Sequence, residues 1–288
     1  MSKQLSIIII NYNTLALTKQ CIASIFKYCD ESLFELIVVD NASTKEDPTL
    51  LLQDFPSIKL IINKSNNGFA GGNNLGIAHA SSPHILLLNS DTYFKEESIS
   101  KALNTLQENA KIGVVSVQLV YENGAYQNNA RSFRSITKEC LEINRYLLAL
   151  LPYKIRSQYM LNQFFRGDYD THCDWVSGAY FMFRKKDLYL LKNHQLDDRF
   201  FMYGEDHLWC YQFKKSGLST YYLSSPKVVH IANASTDSAK LMQLQTTMLQ
   251  HELIIFNEIN KSLIKQIVFK VLFSVKVKVR EFLKNYFK

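Results

Sequence analysis

Along the first half of the chain, short runs of consecutive apolar residues alternate with segments whose apolar residues return every three to four positions. The runs 5–11, 34–40, 58–63, 84–89 and 113–117 predict buried strands, and the segments 15–28, 46–54, 70–79 and 96–109 predict the helices between them. Strict alternation of this kind makes a largely parallel sheet with helices on both faces, because each parallel pair needs a crossover and the crossover helix covers the sheet. Such sheets bind ligands at the carboxyl ends of their strands. Here those ends read Asn11-Tyr12-Asn13, Asp40-Asn41-Ala42-Ser43, the glycine-rich stretch 63–72 and Asn89-Ser90-Asp91, so four strands aim polar or glycine-rich residues at one cleft.

Beyond residue 117 the pattern loosens through 118–134, then becomes helical, tyrosine-rich and basic over 137–163. Strand character returns at 175–184 and 227–231, with a helix over 205–216, stopped by Gly217, between them. Two further helices are expected at 239–257 and 262–287. No repeat or low-complexity run interrupts the body, which predicts one domain over 1–235 and an appended helical region over 236–288.

With 288 residues, 47% of them hydrophobic and 12% aromatic, the chain can bury a substantial core, and a disordered chain is excluded. The five cysteines are odd in number, scattered and without a Cys-x-x-Cys pair, which predicts reduced thiols rather than a disulfide framework or a zinc site. The first residues run into strand 5–11 with no apolar leader, so a cytoplasmic protein is expected. The net charge of +7 resides in residues 261–288, which hold eight basic residues and one acidic one. Apolar residues such as Leu263, Ile264, Ile267, Val268, Val271 and Val275 recur there at helical spacing. A basic amphipathic helix fits an anionic membrane surface, here the inner face of the cell membrane, and its lysines interrupt it too often for a span of ~20 apolar residues. A terminal helix packed on the body with a solvated basic face carries the same pattern. Aliphatic interleaving without stacking aromatics gives no expectation of nucleic-acid binding.

Two acidic motifs carry the candidate chemistry. Glu205 and Asp206 follow the aromatic run Phe200-Phe201-Met202-Tyr203-Gly204 and open a helix, so apolar surroundings oppose their ionisation while the helix dipole favours it. An acidic N-terminal helix cap has the same sequence. Asn89 and Asp91 lie two apart at a strand end and offer oxygen ligands suited to Mg²⁺ or Mn²⁺, although turns use the same residues.

The ordered blocks 6–14 (SIIIINYNT), 38–43 (VVDNAS), 66–76 (NNGFAGGNNLG), 87–92 (LLNSDT), 174–179 (DWVSGA) and 200–206 (FFMYGED) resemble the inverting glycosyltransferases of family 2, particularly the rhamnosyltransferase-like members that build bacterial surface polysaccharides. The resemblance implies a GT-A fold, a Rossmann-like three-layer α/β/α mixed sheet, here with C-terminal helices, across whose strand ends a nucleotide-sugar donor lies. It implies that Asn11, Tyr12, Asn13 and Asp40 line the nucleoside pocket and that Asn66 and the loop from Gly68 through Gly72 and Asn73 close over the nucleotide. Asn89 and Asp91 stand where the family has Asp-x-Asp, with Asp91 holding a divalent cation, Mg²⁺ or Mn²⁺, against the diphosphate. His230 matches a histidine that completes the metal shell in some relatives. Asp206 matches the general base, with Glu205 orienting or balancing it, and Trp175, Ser177 and Gly178 match the loop beside the donor sugar and acceptor. Arg131 and Arg134 either meet phosphate or solvate a loop.

The implied reaction transfers one sugar, from dTDP-rhamnose or a UDP-sugar, to a lipid-linked or surface-glycan acceptor in O-antigen, lipopolysaccharide or capsule assembly. Two positions depart from the family pattern that follows Glu-Asp: Leu208 stands where relatives have a second Asp, and Gln212 where they have Arg. The Gln-x-x-Arg-Trp signature of processive members is missing, which implies a single addition per encounter. A sugar nucleotidyltransferase with a similar nucleotide site, and a non-catalytic nucleotide-sugar-binding protein, remain as alternatives.

Overall fold

The computed structural model describes residues 3–143, 145–232 and 238–286, with backbone alone for 143, 238–246 and 276–286. The expected alternation is present: β1 (Leu5–Asn11), α1 (Leu15–Tyr28), β2 (Phe34–Asp40), α2 (Leu50–Asp54), β3 (Lys59–Ile62), α3 (Gly68–Ala78) and β4 (His84–Asn89) follow one another. Then come β5 (Thr92–Phe94), α4 (Ser100–Glu108) and β6 (Ile112–Val120). Four short helices, α5 (Ile136–Ile143), α6 (Arg145–Leu148), α7 (Tyr153–Tyr159) and α8 (Leu161–Phe164), fill the segment before β7 (Thr171–Cys173) and β8 (Tyr180–Arg184). The chain ends in α9 (Glu205–Lys215), β9 (Ser219–His230), α10 (Ser238–Ile259) and α11 (Leu263–Tyr286).

The sheet runs β3-β2-β1-β4-β8-β6-β9-β5, with β7 paired to β9. The β3-β2-β1-β4 half is parallel, whereas β8 is antiparallel to both β4 and β6, which makes the sheet mixed. The period-two rule decides its layers. Leu5, Ile7 and Ile9 of β1 and Leu86 and Leu88 of β4 pack toward α1, α2 and α4, while Ile8, Ile85 and Leu87 pack toward α3 and α9. Every residue of β6 is buried, as expected of a strand covered on both faces.

Several elements differ from the sequence pattern for identifiable reasons. Helix α2 starts at Leu50 rather than 46, because Asp47 accepts the Thr49 N–H in a turn and Pro48 precedes the first helical residue. Helix α4 starts at Ser100 rather than 96, because Glu97 Oε1 accepts the N–H groups of Ile99 and Ser100. Residues 175–179 precede β8 as a loop, and the strand 227–231 is the second half of the longer β9. The expected helical region 137–163 is broken into short pieces, one of them ending before Pro152. The boundary expected at 235 lies outside the described residues, as do the side chains of the basic residues Lys276, Lys278, Arg280, Lys284 and Lys288.

The glycine-rich stretch is a helix rather than a loop. A Cβ on Gly76 would lie 2.5 Å from Ile8 Cγ2, and one on Gly72 would lie 3.2 Å from Ile10 Cδ1, so these glycines let α3 rest against β1. Close approach serves helix–sheet packing here.

Candidate active site

The strand ends gather as the alternation requires. Chain order takes β1 to β2 to β3 on one side and returns to β4 on the other side of β1, so the crevice between these crossovers opens beside Asn11 and Asn89. Asn11 Nδ2 donates to Asp40 Oδ1 at 2.7 Å and to Ser43 Oγ at 3.2 Å, while its Oδ1 accepts from the Thr14 and Thr18 hydroxyls. Asp40 Oδ2 accepts the Ser43 N–H. Both side chains are 1% exposed, so they tie the first two strand ends together and offer no open polar atom. Tyr12, in contrast, is 44% exposed. Asn13 Oδ1 accepts the N–H groups of Thr44 and Lys45, fastening the first strand end to the second.

Asn41 is the hub that the sequence motifs did not single out. Its Nδ2 donates to Asn66 Oδ1 at 2.8 Å and to the Gly68 carbonyl at 3.0 Å, and its Oδ1 accepts from Asn63 Nδ2 and the Asn67 N–H. One carboxamide thereby holds the whole 63–68 turn. Asn73 is buried and donates to the Phe69 carbonyl. Asn13 and Ala42 at the strand ends and Tyr203 in the acidic loop adopt positive φ (56°, 63° and 70°), as do Asn193, His194 and Ala232 elsewhere among the described residues, a conformation that is costly for Ala and Tyr.

The third and fourth groups meet through β5 and β9. Antiparallel pairing sets Thr92 opposite His230, which brings His230 Nε2 to 3.3 Å from Asp91 Oδ1 and 3.4 Å from Asn89 Nδ2. His230 Nδ1 faces Gln127 Oε1 at 2.8 Å, which orients the ring with Nε2 toward the Asp91 side. A carboxylate oxygen and an imidazole nitrogen at this spacing fit a divalent cation, with Mn²⁺ accepting the nitrogen more readily than Mg²⁺. Among the described residues there is no group of three or more His, Cys, Asp or Glu side chains that could hold a metal ion.

The acidic pair sits on the opposite side of the glycine-rich turn. Gly68 has φ +73°, and a Cβ there would lie 2.2 Å from the Phe201 carbonyl oxygen, which accepts the Phe69 N–H at 3.0 Å. The loop preceding α9 is thereby docked on the start of α3. Tyr203 and Gly204 then turn through left-handed conformations into the first residues of α9. Asp206 Oδ2 accepts the Gly178 N–H at 3.0 Å and Oδ1 accepts the His207 N–H at 2.8 Å. Burial raises its pKa above the ordinary carboxylate range, and these two N–H groups oppose that rise. Glu205 is buried and its Oε2 has no hydrogen-bond partner among the described residues. Burial first and the neighbouring Asp206 second push its carboxyl up to about 8.

His207, which no motif marked, is the centre of a stacked column. Its ring lies 4.8 Å from Trp175 and 5.0 Å from Phe133, nearly parallel to both. The Arg131 guanidinium covers the outer face of Trp175 at 4.9 Å, and Lys214 Nζ covers Phe133 at 5.2 Å. Ser177 is fixed by its N–H to Asn129 Oδ1, and Asn129 in turn donates to Ser116 and Val117 of β6. The column and this tie join the 129–133 segment, the 174–178 loop and the start of α9. Arg134 points elsewhere, to Glu139 at 2.8 Å and Glu252 at 3.1 Å, so it belongs to an ion-pair network and not to a phosphate site.

Helix α10 backs this arrangement. Glu252 Oε1 is 3.5 Å from His207 Nδ1, His251 stacks on Phe200 at 4.1 Å, and Glu258 pairs with Arg199 at 2.7 Å. The two departures from the family pattern are absorbed locally. Leu208 packs with Phe200 and Ile255, and Gln212 donates to Asp197, which also receives Arg199.

The mixed sheet with helices on both faces and its gathered strand ends define an α/β fold of the GT-A class. The family model for Glycosyl transferase family 2 matches residues 6–189, and the chain belongs to that family. The acidic pair lies beyond the matched segment. The chain is 26% identical over 228 residues to the low-salt glycan biosynthesis hexosyltransferase Agl10 of Haloferax volcanii, covering 76% of this chain and 64% of that protein. It is 28% identical over 112 residues to the glycosyltransferase GlyG of Streptococcus pneumoniae, covering 38% of this chain and 36% of that one. It thus spans less than two thirds of either relative. A crystal structure of GalNAc-T7 with UDP, GalNAc and Mn²⁺ superposes with a TM-score of 0.61 over 86% of this chain and 48% of the other. At 12% identity that likeness establishes the fold alone.

Proposed function

We propose that the protein is an inverting glycosyltransferase that moves one sugar from a nucleotide-diphosphate donor, dTDP-rhamnose or a UDP-sugar, to a lipid-linked or surface-glycan acceptor. The observation that carries this reading is the Asp206 carboxylate, held by two N–H groups beside a loop whose Phe201 carbonyl anchors Phe69 of the glycine-rich turn. A base fixed against the donor turn is what a single displacement needs. Asp206 takes the proton of the acceptor hydroxyl as that oxygen attacks the anomeric carbon from the face opposite the nucleotide, and the configuration inverts. Glu205, kept neutral by burial, adds no second charge beside the base at neutral pH. Tyr12 and Asn66 face the nucleoside side, and Trp175, Ser177 and Gly178 shape the sugar and acceptor side.

Asp91 and His230, with Asn89 beside them, would hold a divalent cation that offsets charge on the departing diphosphate. The Mn²⁺ in the structural neighbour supports that reading. Residues 1–235 carry the transferase, and the helices after it serve the inner membrane face, where a lipid-linked acceptor for O-antigen, lipopolysaccharide or capsule assembly resides. Among the described residues no helix is long and apolar enough to cross a membrane, and a peripheral attachment accords with that.

The test is nucleoside-diphosphate release from UDP-, dTDP- and GDP-sugars with Mn²⁺, Mg²⁺ or EDTA, in wild type, Asp206→Asn and Asp91→Ala, with lipid-linked acceptors present. Release from one donor, lost in EDTA and reduced at least ~10³-fold in Asp206→Asn, is expected. Donor binding without release in wild type would mark a non-catalytic binding protein instead, and release of diphosphate from a sugar phosphate and a nucleoside triphosphate would mark a nucleotidyltransferase.

A further inference from the structure

The segment between β6 and β8 carries a surface that neither the donor site nor the acid pair uses. Leu150 is 83% exposed, Tyr146 73%, Leu147 67% and Tyr159 63%, all within α6, α7 and the turn joining them. From Arg145 to Arg166 the sequence holds Arg145, Lys154, Arg156 and Arg166 and no acidic residue. Large apolar side chains left in water together are uncommon on a soluble surface, and their interleaving with a single sign of charge specifies what covers them. Helix α11 shows the same chemistry. Ile264 is 75% exposed, Val271 57% and Ile267 55%, Lys265 and Lys270 lie among them, and no acidic residue occurs between Glu258 and Glu281.

These two surfaces share a strut. The inner side of α11 buries Phe269 and Phe273 against Phe256, with Ile136 of α5 packed on the same cluster, and Arg134 lies over the Phe273 ring. The eight residues of α5 span about 12 Å. Helix α6 begins two residues past the end of α5, so the segment starts within a short helix of the place where α11 is moored.

We propose that the α6–α7 segment and the outer face of α11 form one docking surface for an anionic lipid bilayer. This rests on the membrane-associated reading of the function and adds a second contact to the C-terminal helix. Leucine and isoleucine side chains enter the acyl boundary, tyrosines sit at headgroup level, and the basic side chains extend to anionic headgroups. A second copy of the chain fits poorly, because it would bring one cationic surface against another. Just past α7, Asn162 Oδ1 accepts the Ser132 N–H, which ties the segment to the chain beside Phe133 of the stacked column.

The test uses the full chain and vesicles of phosphatidylcholine with or without phosphatidylglycerol. Wild type should sediment with phosphatidylglycerol vesicles and not with phosphatidylcholine alone, and the bound fraction should fall as salt rises. Leu147→Glu with Leu150→Glu, and separately Ile264→Glu with Ile267→Glu, should each lower the bound fraction at least about fivefold, because two weak contacts on one body act together. All four positions are exposed, and UDP binding measured by calorimetry on the same proteins checks that the body is intact. Wild-type vesicle binding by either doubly substituted chain overturns the shared surface. So does a two-copy mass in light scattering that drops to one copy in the variants. Vesicle binding that behaves as expected in a protein that binds no donor would fault the transferase reading and leave the docking surface standing.

Discussion

At position 205 the carboxyl is enclosed and one oxygen lacks a partner among the described residues; at 206 both oxygens accept backbone N–H groups. Neighbouring residues therefore differ in what their charge costs. With a folded pKa of about 8 against an ordinary value near 4.3, Glu205 keeps its proton in the folded state where the unfolded chain has lost it. The unfolded state then binds fewer protons, so stability falls as pH rises from about 4.3 to about 8 and levels off above. Glu205→Gln should remove this slope. We expect the variant to match wild type near pH 4 and to exceed it by a few kcal/mol at pH 8, on the order the linkage allows, in urea unfolding at the two pH values. A variant equally or less stable at pH 8 would contradict the neutral assignment. The pair itself was legible, because two carboxylates after an aromatic run are an unusual placement. His207 was not, since a single histidine inside a helix gives no sign that Trp175 and Phe133, distant in sequence, will close on its two faces. Asn41 escaped for a related reason: a turn residue that binds four partners has the same letter as one that binds none.

At the scale of elements, the first four strands and their helices followed from hydrophobic period, while the turn at Asp47 and capping by Glu97 set the starts of α2 and α4, and the glycines drew α3 back to Gly68. The antiparallel partners of β9 were not foreseeable, because three-residue strands such as β5 and β7 carry no period to read. Helix α10 was foreseen as a helix, but its role follows only from its contacts. Burial opposes ionisation of Glu252, yet the contacts with His207 and Arg134 outweigh it and hold the carboxyl at about 2. A depressed acid adds stability above its unfolded pKa and loses it as pH falls toward the folded value. Glu252→Gln should thus destabilise the protein by about 2–3 kcal/mol at pH 7, because it leaves Arg134 and His207 without their shared partner. The deficit should persist down to about pH 4 and shrink as the pH falls from there toward about 2. A deficit independent of pH would mean that packing rather than charge fixes α10 to the acidic loop.

For the whole molecule, the question is whether residues 1–235 stand alone, as their sequence pattern invites. Cutting the chain before α10 uncovers Phe200 and Leu208, which pack with Ile255. It also strips Arg134 and Arg199 of Glu252 and Glu258 and removes the ring stacked on Phe200. Apart from the Arg134 pair, these contacts lie on the loop that delivers Asp206 or on the start of α9, so the loss falls on the site more than on the sheet. The parallel half of the sheet keeps most of its two buried faces without α10, because the residues covering it come mainly from α1 to α4 and α9, with Ile259 alone from α10 among the described residues. We therefore expect a chain ending at residue 232 to retain its far-ultraviolet circular dichroism. Its thermal midpoint should drop by about 10 °C or more, since several kcal/mol of buried contacts are removed from a domain of this size. UDP should still bind, because the strand-end network from Asn11 to Gly68 contains no residue of α10. Transfer should be lost. Retention of both binding and transfer would show that the acidic loop holds its shape unaided, and loss of both would show that the helices stabilise the sheet as well as the loop.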